Sequence, residues 1–116
     1  MKMLITINDA PYGSERAYNA LRLAGSLAKQ EGIELKVFLV GDGAACAKSG
    51  QKVLQGYYNV QTMLSAVVRR GAQVGVCGSC MEARGIAEAE LVEGTHKSSL
   101  DEWTRWTTEA DKALVF

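Results

Sequence analysis

Cys77 and Cys80, in Val74-Gly75-Val76-Cys77-Gly78-Ser79-Cys80, offer the richest chemistry in this chain. The first ends an apolar, strand-like run, and Met81-Glu82-Ala83-Arg84-Gly85 follows the second. A thiol at the end of a strand, just before a helix can start, meets backbone N–H groups that point outward. That setting favours thiolate over thiol, and the thiolate is the reactive form of cysteine. Arg84 lies one or two helical turns on, and positive potential of that kind can lower a thiol pKa from about 8.5 to below neutrality. The residues alone leave a second reading open, because a cysteine in a strand also serves as a small buried hydrophobe.

The spacing of the pair admits two further chemistries. Cys-x-x-Cys at a helix start suits thiol–disulfide exchange, with the second thiol resolving a mixed disulfide. It is also half of a zinc site, but a tetrahedral structural site needs four ligands. The remaining candidates, Cys46 and His96, show no ligand spacing, so neither a metal nor a cofactor is expected. Cys46 sits among alanines (Ala44-Ala45-Cys46-Ala47), which points to small-residue packing. His96 is the only histidine, and it reads as a solvated loop residue unless that loop reaches the cysteines. No phosphate loop, no Gly-x-Gly-x-x-Gly and no Ser-His-carboxylate arrangement is visible. Asp9 and Asp42 fall in loops where they could position a ligand or partner. Trp103 and Trp106 read as core or interface, and Tyr57-Tyr58 as interface or pocket mouth.

Short apolar runs alternating with helical patterns must position these groups. Met3–Ile7, Leu35–Val40, Val74–Cys77 and Ala113–Phe116 read as strands, with Leu91-Val92 a minor one. Ala17, Leu21, Ala24, Leu27 and Ala28 recur at helical spacing after Ser14, the expected N-cap, with Gly32 as a stop. Val60, Met63, Leu64, Val67 and Val68 mark one buried helix face, which Arg69-Arg70-Gly71 closes with cations and a left-handed cap. A short helix is expected from about Ser79, and Leu100, Trp103 and Trp106 mark a last one. Strands apolar throughout, each separated by a helix, predict a mostly parallel sheet of about five strands, covered on both faces. Right-handed crossovers then bring the strand-to-helix loops to the carboxyl edge, where ligands bind in such folds. Loops 8–13, 41–58, 77–79 and 94–98 are expected to meet there, Cys77 among them.

The bulk properties exclude several functions. A chain of 116 residues suits one domain, residues 1–116, with a genuine core. Thirteen basic residues balance thirteen acidic ones, and no basic run appears, so neither nucleic acid nor an anionic membrane is an expected partner. The apolar start Met3–Ile7 is too short for a signal peptide or a membrane span. Three cysteines, Cys46, Cys77 and Cys80, are an odd number with no signal sequence before them, so reduced thiols in a cytoplasmic protein are expected.

Six stretches carry a family likeness: Ala10-Pro11-Tyr12-Gly13-Ser14-Glu15, Asn19-Ala20-Leu21-Arg22-Leu23-Ala24, Phe38-Leu39-Val40-Gly41-Asp42, Gly50-Gln51-Lys52, Gly56-Tyr57-Tyr58-Asn59-Val60-Gln61 and Cys77–Ile86. On these, over essentially the whole length, the chain resembles the DsrE/DsrF-like family, most closely its small YchN-like branch. The resemblance implies a flavodoxin-like, DsrEFH-like, three-layer α/β/α fold that assembles into homo-oligomeric rings such as trimers or hexamers. In the sulfur-relay branch of the family (DsrEFH and TusBCD-like proteins), one cysteine carries sulfur as a persulfide between donor and acceptor proteins. The active cysteine there precedes an Arg-Gly pair by a fixed gap, and measured to Arg84-Gly85 the matching residue is Cys77. Those relay proteins need no cysteine at the position of Cys80, and the arginine here is single.

Three functions follow as expectations. The first is a sulfur carrier or sulfurtransferase-like subunit, with Cys77 as nucleophile, Arg84 and the helix start supporting its anion, and Cys80 as an optional resolving thiol. The second is a dithiol redox protein using Cys77 and Cys80. The third is a non-enzymatic oligomeric binding module. Leu54, Tyr57 and Tyr58 are unusually apolar for a loop, so the 41–58 segment is expected to pack on a neighbouring subunit and help wall the Cys77 site.

Overall fold

Four apolar runs and one polar one become the strands of a single parallel sheet. The computed structural model describes residues Met1–Phe116. Its strands are β1 (Lys2–Ile7), β2 (Glu34–Leu39), β3 (Gln73–Cys77), β4 (Thr95–Ser98) and β5 (Lys112–Val115), in the order β4-β3-β2-β1-β5. Every neighbouring pair is parallel. The helices are α1 (Arg16–Leu27), α2 (Val60–Arg69), α3 (Gly78–Ala83) and α4 (Leu100–Glu109). A 3₁₀ helix occupies Gly41–Ala47 and a 3₁₀ turn Glu88–Glu90.

From β1 to β4 the chain steps across the sheet in one direction, and only the last crossover runs back. With one handedness of crossover, that reversal puts α4 on the opposite face from the other helices. The packing agrees. Met3, Ile5 and Ile7 of β1 join Val37, Val74 and Val76 in one core with Ala17, Leu21, Leu64 and Met81 from α1, α2 and α3. The alternate residues Leu4 and Phe38 form a smaller core with Trp106 of α4. Trp103 stacks on Phe38 with ring centroids 4.8 Å apart, and its indole N–H donates to Thr6 Oγ1 at 3.2 Å. That bond satisfies the one buried polar side chain of the core. The result is an α/β/α sandwich, thick on one side and thin on the other.

Local signals explain the helices. α2 starts where Asn59 Oδ1 accepts from the Thr62 N–H at 3.0 Å, and it buries Val60, Leu64 and Val67 at helical spacing. Ser14 does not cap α1. Glu15 holds the N-cap position without a side-chain bond, because the Ser14 hydroxyl donates to Asp9 at 2.6 Å and accepts from the Arg16 N–H. Leu91 and Val92 form no strand of the sheet. Leu91 makes an isolated bridge with Lys48, and the Val92 N–H donates to Ala47 O at 2.7 Å. The 94–98 segment, expected as a loop, holds the edge strand β4 instead. It pairs only with β3, so it lacks the apolar pattern of a central strand.

At the carboxyl edge the loops 8–13, 41–58 and 77–79 converge as expected, whereas 94–98 enters β4 from the opposite edge. The Gly43 N–H donates to Asn8 O at 2.9 Å, and Cys46 Sγ lies 3.6 Å from Asp9 O. Part of the 41–58 segment is the 3₁₀ helix, whose Ala44, Cys46 and Ala47 are buried. Beyond it, Gln51 ties the chain down: its amide N–H groups donate to Cys46 O and Lys48 O, and its Oε1 accepts from the Tyr12 hydroxyl at 2.6 Å.

Candidate functional site

Strand alternation and one tight turn bring the two thiols together. In β3, Val74 and Val76 face the larger core, so Cys77 emerges on the α4 side, against the Phe38 and Trp106 cluster. Cys77 is also the N-cap residue of α3. One helical turn later Cys80 packs against the larger core, leaving Cys80 Sγ 2.6 Å from Cys77 Sγ. Both cysteines are free and partly exposed.

The surroundings push the two thiols apart in acidity. Burial works to raise Cys77, but hydrogen bonds from the Cys80 thiol, the Ser79 hydroxyl and the backbone N–H groups of Cys80 and Ser79 overcome it, and its pKa is lowered. Cys80 moves the other way, raised by burial and by its place beside Cys77, against the Gly41 N–H and the Arg84 charge, which lower it. The Gly41 N–H points at Cys80 Sγ at 3.1 Å. The two shifts run in opposite directions, which makes Cys77 the more acidic thiol of the pair.

Arg84 lies on the Cys80 side of this pair. Its guanidinium binds Asp42 Oδ1 through two nitrogens, at 2.7 and 3.1 Å, and donates to Cys80 O at 3.0 Å. It therefore ties α3 to the 3₁₀ helix after β2, and its charge acts on Cys80. Cys46 is buried, and burial pushes its thiol up to about 12, so it stays protonated and unreactive. His96, on β4, pairs with Glu102 and lies edge-on to Trp106 at 5.9 Å. Burial opposes ionisation of Glu102, but Ser98, His96 and Arg105 around it hold its carboxyl below the usual range. No group of three or more His, Cys, Asp or Glu side chains converges as a metal cage.

Cys77 opens onto a groove of 590 Å³ between α3, β4 and α4. Phe38, Val40 and Trp103 form its apolar side, and Lys97, Ser98 and Ser99 its polar rim. A second concavity of 380 Å³, lined by Tyr12, Leu54, Tyr57 and Tyr58, lies apart from the cysteines. Within one chain no residue of the 41–58 segment lines the Cys77 groove, although the Gly41 N–H reaches Cys80 Sγ. The Gly41 N–H and Lys97 are the parts of the site that sequence reasoning missed. A backbone donor has no side-chain signature, and Lys97 lies in a strand without apolar residues. No helix is long and apolar enough to cross a membrane.

Comparison with known proteins agrees with this architecture. The chain is 40% identical to Protein YchN of Escherichia coli K12 over 116 residues, 99% of this chain and 98% of that one. It is 39% identical to the uncharacterised protein MJ0989 of Methanocaldococcus jannaschii over the full length of both. The crystal structure of the E. coli ychN protein superposes with a TM-score of 0.94, covering 100% of this chain and 99% of that one. MTH1491 of Methanobacterium thermoautotrophicum, a protein of unknown function, shares the fold at a TM-score of 0.75 and 16% identity, covering 99% and 98% of the two chains. The model of the DsrE/DsrF-like family matches residues 1–116, and the chain belongs to that family.

Proposed function

We propose that this protein is a cytoplasmic sulfur carrier whose Cys77 accepts sulfane sulfur as a persulfide. The supporting observation is that, of the three thiols, Cys77 alone both lines the groove in a partly exposed position and has its pKa lowered. Family membership, in a family with sulfur-relay members, supports the choice of cargo.

In the loading step the Cys77 thiolate attacks the terminal sulfur of a persulfide donor R–S–SH. The donor S–S bond breaks, R–S⁻ leaves and takes up a proton, and Cys77 holds the sulfur as –S–SH. The same exchange toward an acceptor thiolate regenerates Cys77. Cys80 supplies a second exit. The Cys80 thiol gives up its proton to solvent, its sulfur bonds to Cys77 Sγ, the sulfane sulfur leaves as hydrosulfide, and a Cys77–Cys80 disulfide remains. The sulfane sulfur is thereby reduced by the electron pair that the two thiols give up. An external dithiol then reduces the disulfide.

After incubation with an organic persulfide, intact-mass spectra of Cys80→Ser are expected to show a lasting gain of about 32 Da, one sulfur atom. The native chain is expected to pass through that adduct to the disulfide. A disulfide in the native chain with no sulfur gain in Cys80→Ser would favour the dithiol redox reading instead.

The same proposal includes assembly. Leu54 and Tyr57 are 74% and 67% exposed at the second concavity, too apolar a surface for a lone loop. We propose that a neighbouring copy covers it, as in a trimeric or hexameric ring. Light scattering at micromolar concentration is expected to give a multiple of the chain mass, and a monomer would refute it.

A further inference from the structure

The groove beside Cys77 contains one cation, Lys97, and one anion, Glu82. Lys97 Nζ donates to Glu82 Oε1 at 2.9 Å, and the two side chains are 36% and 70% exposed. A solvated pair of this kind contributes little to stability, so an incoming carboxylate can take the place of Glu82 at small cost. The route of the lysine stem is the second observation. It crosses Gly78, the residue after Cys77, so closely that a Cβ there would lie 2.9 Å from Lys97 Cε and 3.0 Å from Ser98 O. Glycine at this position thus lets the stem cross the junction between β3 and α3, beside the thiol. The other nearby cation, Arg84, is held by Asp42 and Cys80 O and does not line the groove. The groove volume of 590 Å³ falls within the range of small-molecule sites.

We infer that the groove takes a small-molecule thiol or persulfide carrying a carboxylate, which Lys97 receives from Glu82 while the sulfur faces Cys77. This names a substrate class for the sulfur-carrier reading and rests on it. Phe38, Val40 and Trp103 accept the apolar part of the ligand. Lys97 is a recognition residue and leaves the thiol chemistry to Cys77.

Iodoacetate and iodoacetamide are nearly equal in size and differ in charge, so their relative rates at Cys77 read the groove potential directly. Because both need the thiolate, their ratio cancels any change in thiol ionisation. Rates are followed on the native chain by peptide mass spectrometry. Lys97→Met, which keeps the stem, is expected to lower the iodoacetate-to-iodoacetamide ratio about fivefold, and Lys97→Arg to preserve it. Glu82→Gln, at an exposed position, is expected to raise the ratio about twofold, and high salt to erase the differences. A ratio unchanged by both Lys97→Met and Glu82→Gln would overturn the inference and leave a protein-borne or uncharged donor. The two readings fail separately. Charge-selective alkylation without any sulfur uptake would sink the carrier proposal alone, and sulfur uptake with charge-blind alkylation would sink this one alone.

Discussion

Cys77→Ser is expected to abolish persulfide formation and to slow thiol alkylation of the native protein by on the order of tenfold or more. Serine keeps the size and the hydrogen bond toward Ser79, but a hydroxyl does not ionise near neutral pH, so the nucleophile is lost. Neither remaining thiol replaces it. Cys46, pushed up to about 12 by burial, keeps almost no thiolate near neutral pH. Cys80 is held up by its own burial as well as by Cys77. Removing Cys77 lifts one of those causes, so residual alkylation is expected to map to Cys80. The pH profile adds an independent check. Cys77 lies below the ordinary 9.0, so its alkylation rate is expected to rise with pH and level off with a midpoint under that value. The sign for stability follows. An acid whose folded-state pKa is depressed contributes stability above its unfolded pKa and loses it as pH falls through the folded value. A midpoint at or above 9.0 would contradict the assignment of Cys77 as the favoured thiolate.

Gly43→Ala is expected to destabilise the fold by about 3 kcal/mol, with a fall in Tm of about 10 °C. An added Cβ would lie 2.1 Å from Ile7 O and 2.9 Å from Ile7 C. These are backbone atoms at the end of a buried central strand, which cannot swing aside as a surface side chain would. Relief requires the 3₁₀ helix Gly41–Ala47 to lift off β1, which strains the Gly43 N–H bonds to Asn8 O and Val40 O at 2.9 and 3.0 Å. The same movement withdraws Gly41 N–H from Cys80 and Asp42 from Arg84. Thermal unfolding should therefore shift together with the Cys80 environment. A variant with native Tm would show that the two segments are not locked at this contact.

The fold was legible where burial writes a pattern. β1, β2 and β3 are apolar because helices cover them, and α2 shows its buried stripe as Val60, Leu64 and Val67. β4 was not legible, because Thr95-His96-Lys97-Ser98 lies at the sheet margin and needs no apolar face. The 3₁₀ helix hid in a glycine- and alanine-rich stretch whose helical character depends on contacts with Asn8 and Asp9. At the site, strand-end geometry alone placed Cys77 beside backbone N–H groups. The direction of Arg84 depended on Asp42, 42 residues away in the chain, and only the folded geometry brings them together.

The most direct test of Cys77 as the sulfur-carrying thiol is to locate added sulfur. The native chain is incubated with an organic persulfide, trapped by alkylation, digested and mapped by peptide mass spectrometry. The additional sulfur is expected on Cys77, with Cys46 unmodified. Sulfur on Cys80 or Cys46 in place of Cys77, or on no cysteine at all, would contradict it.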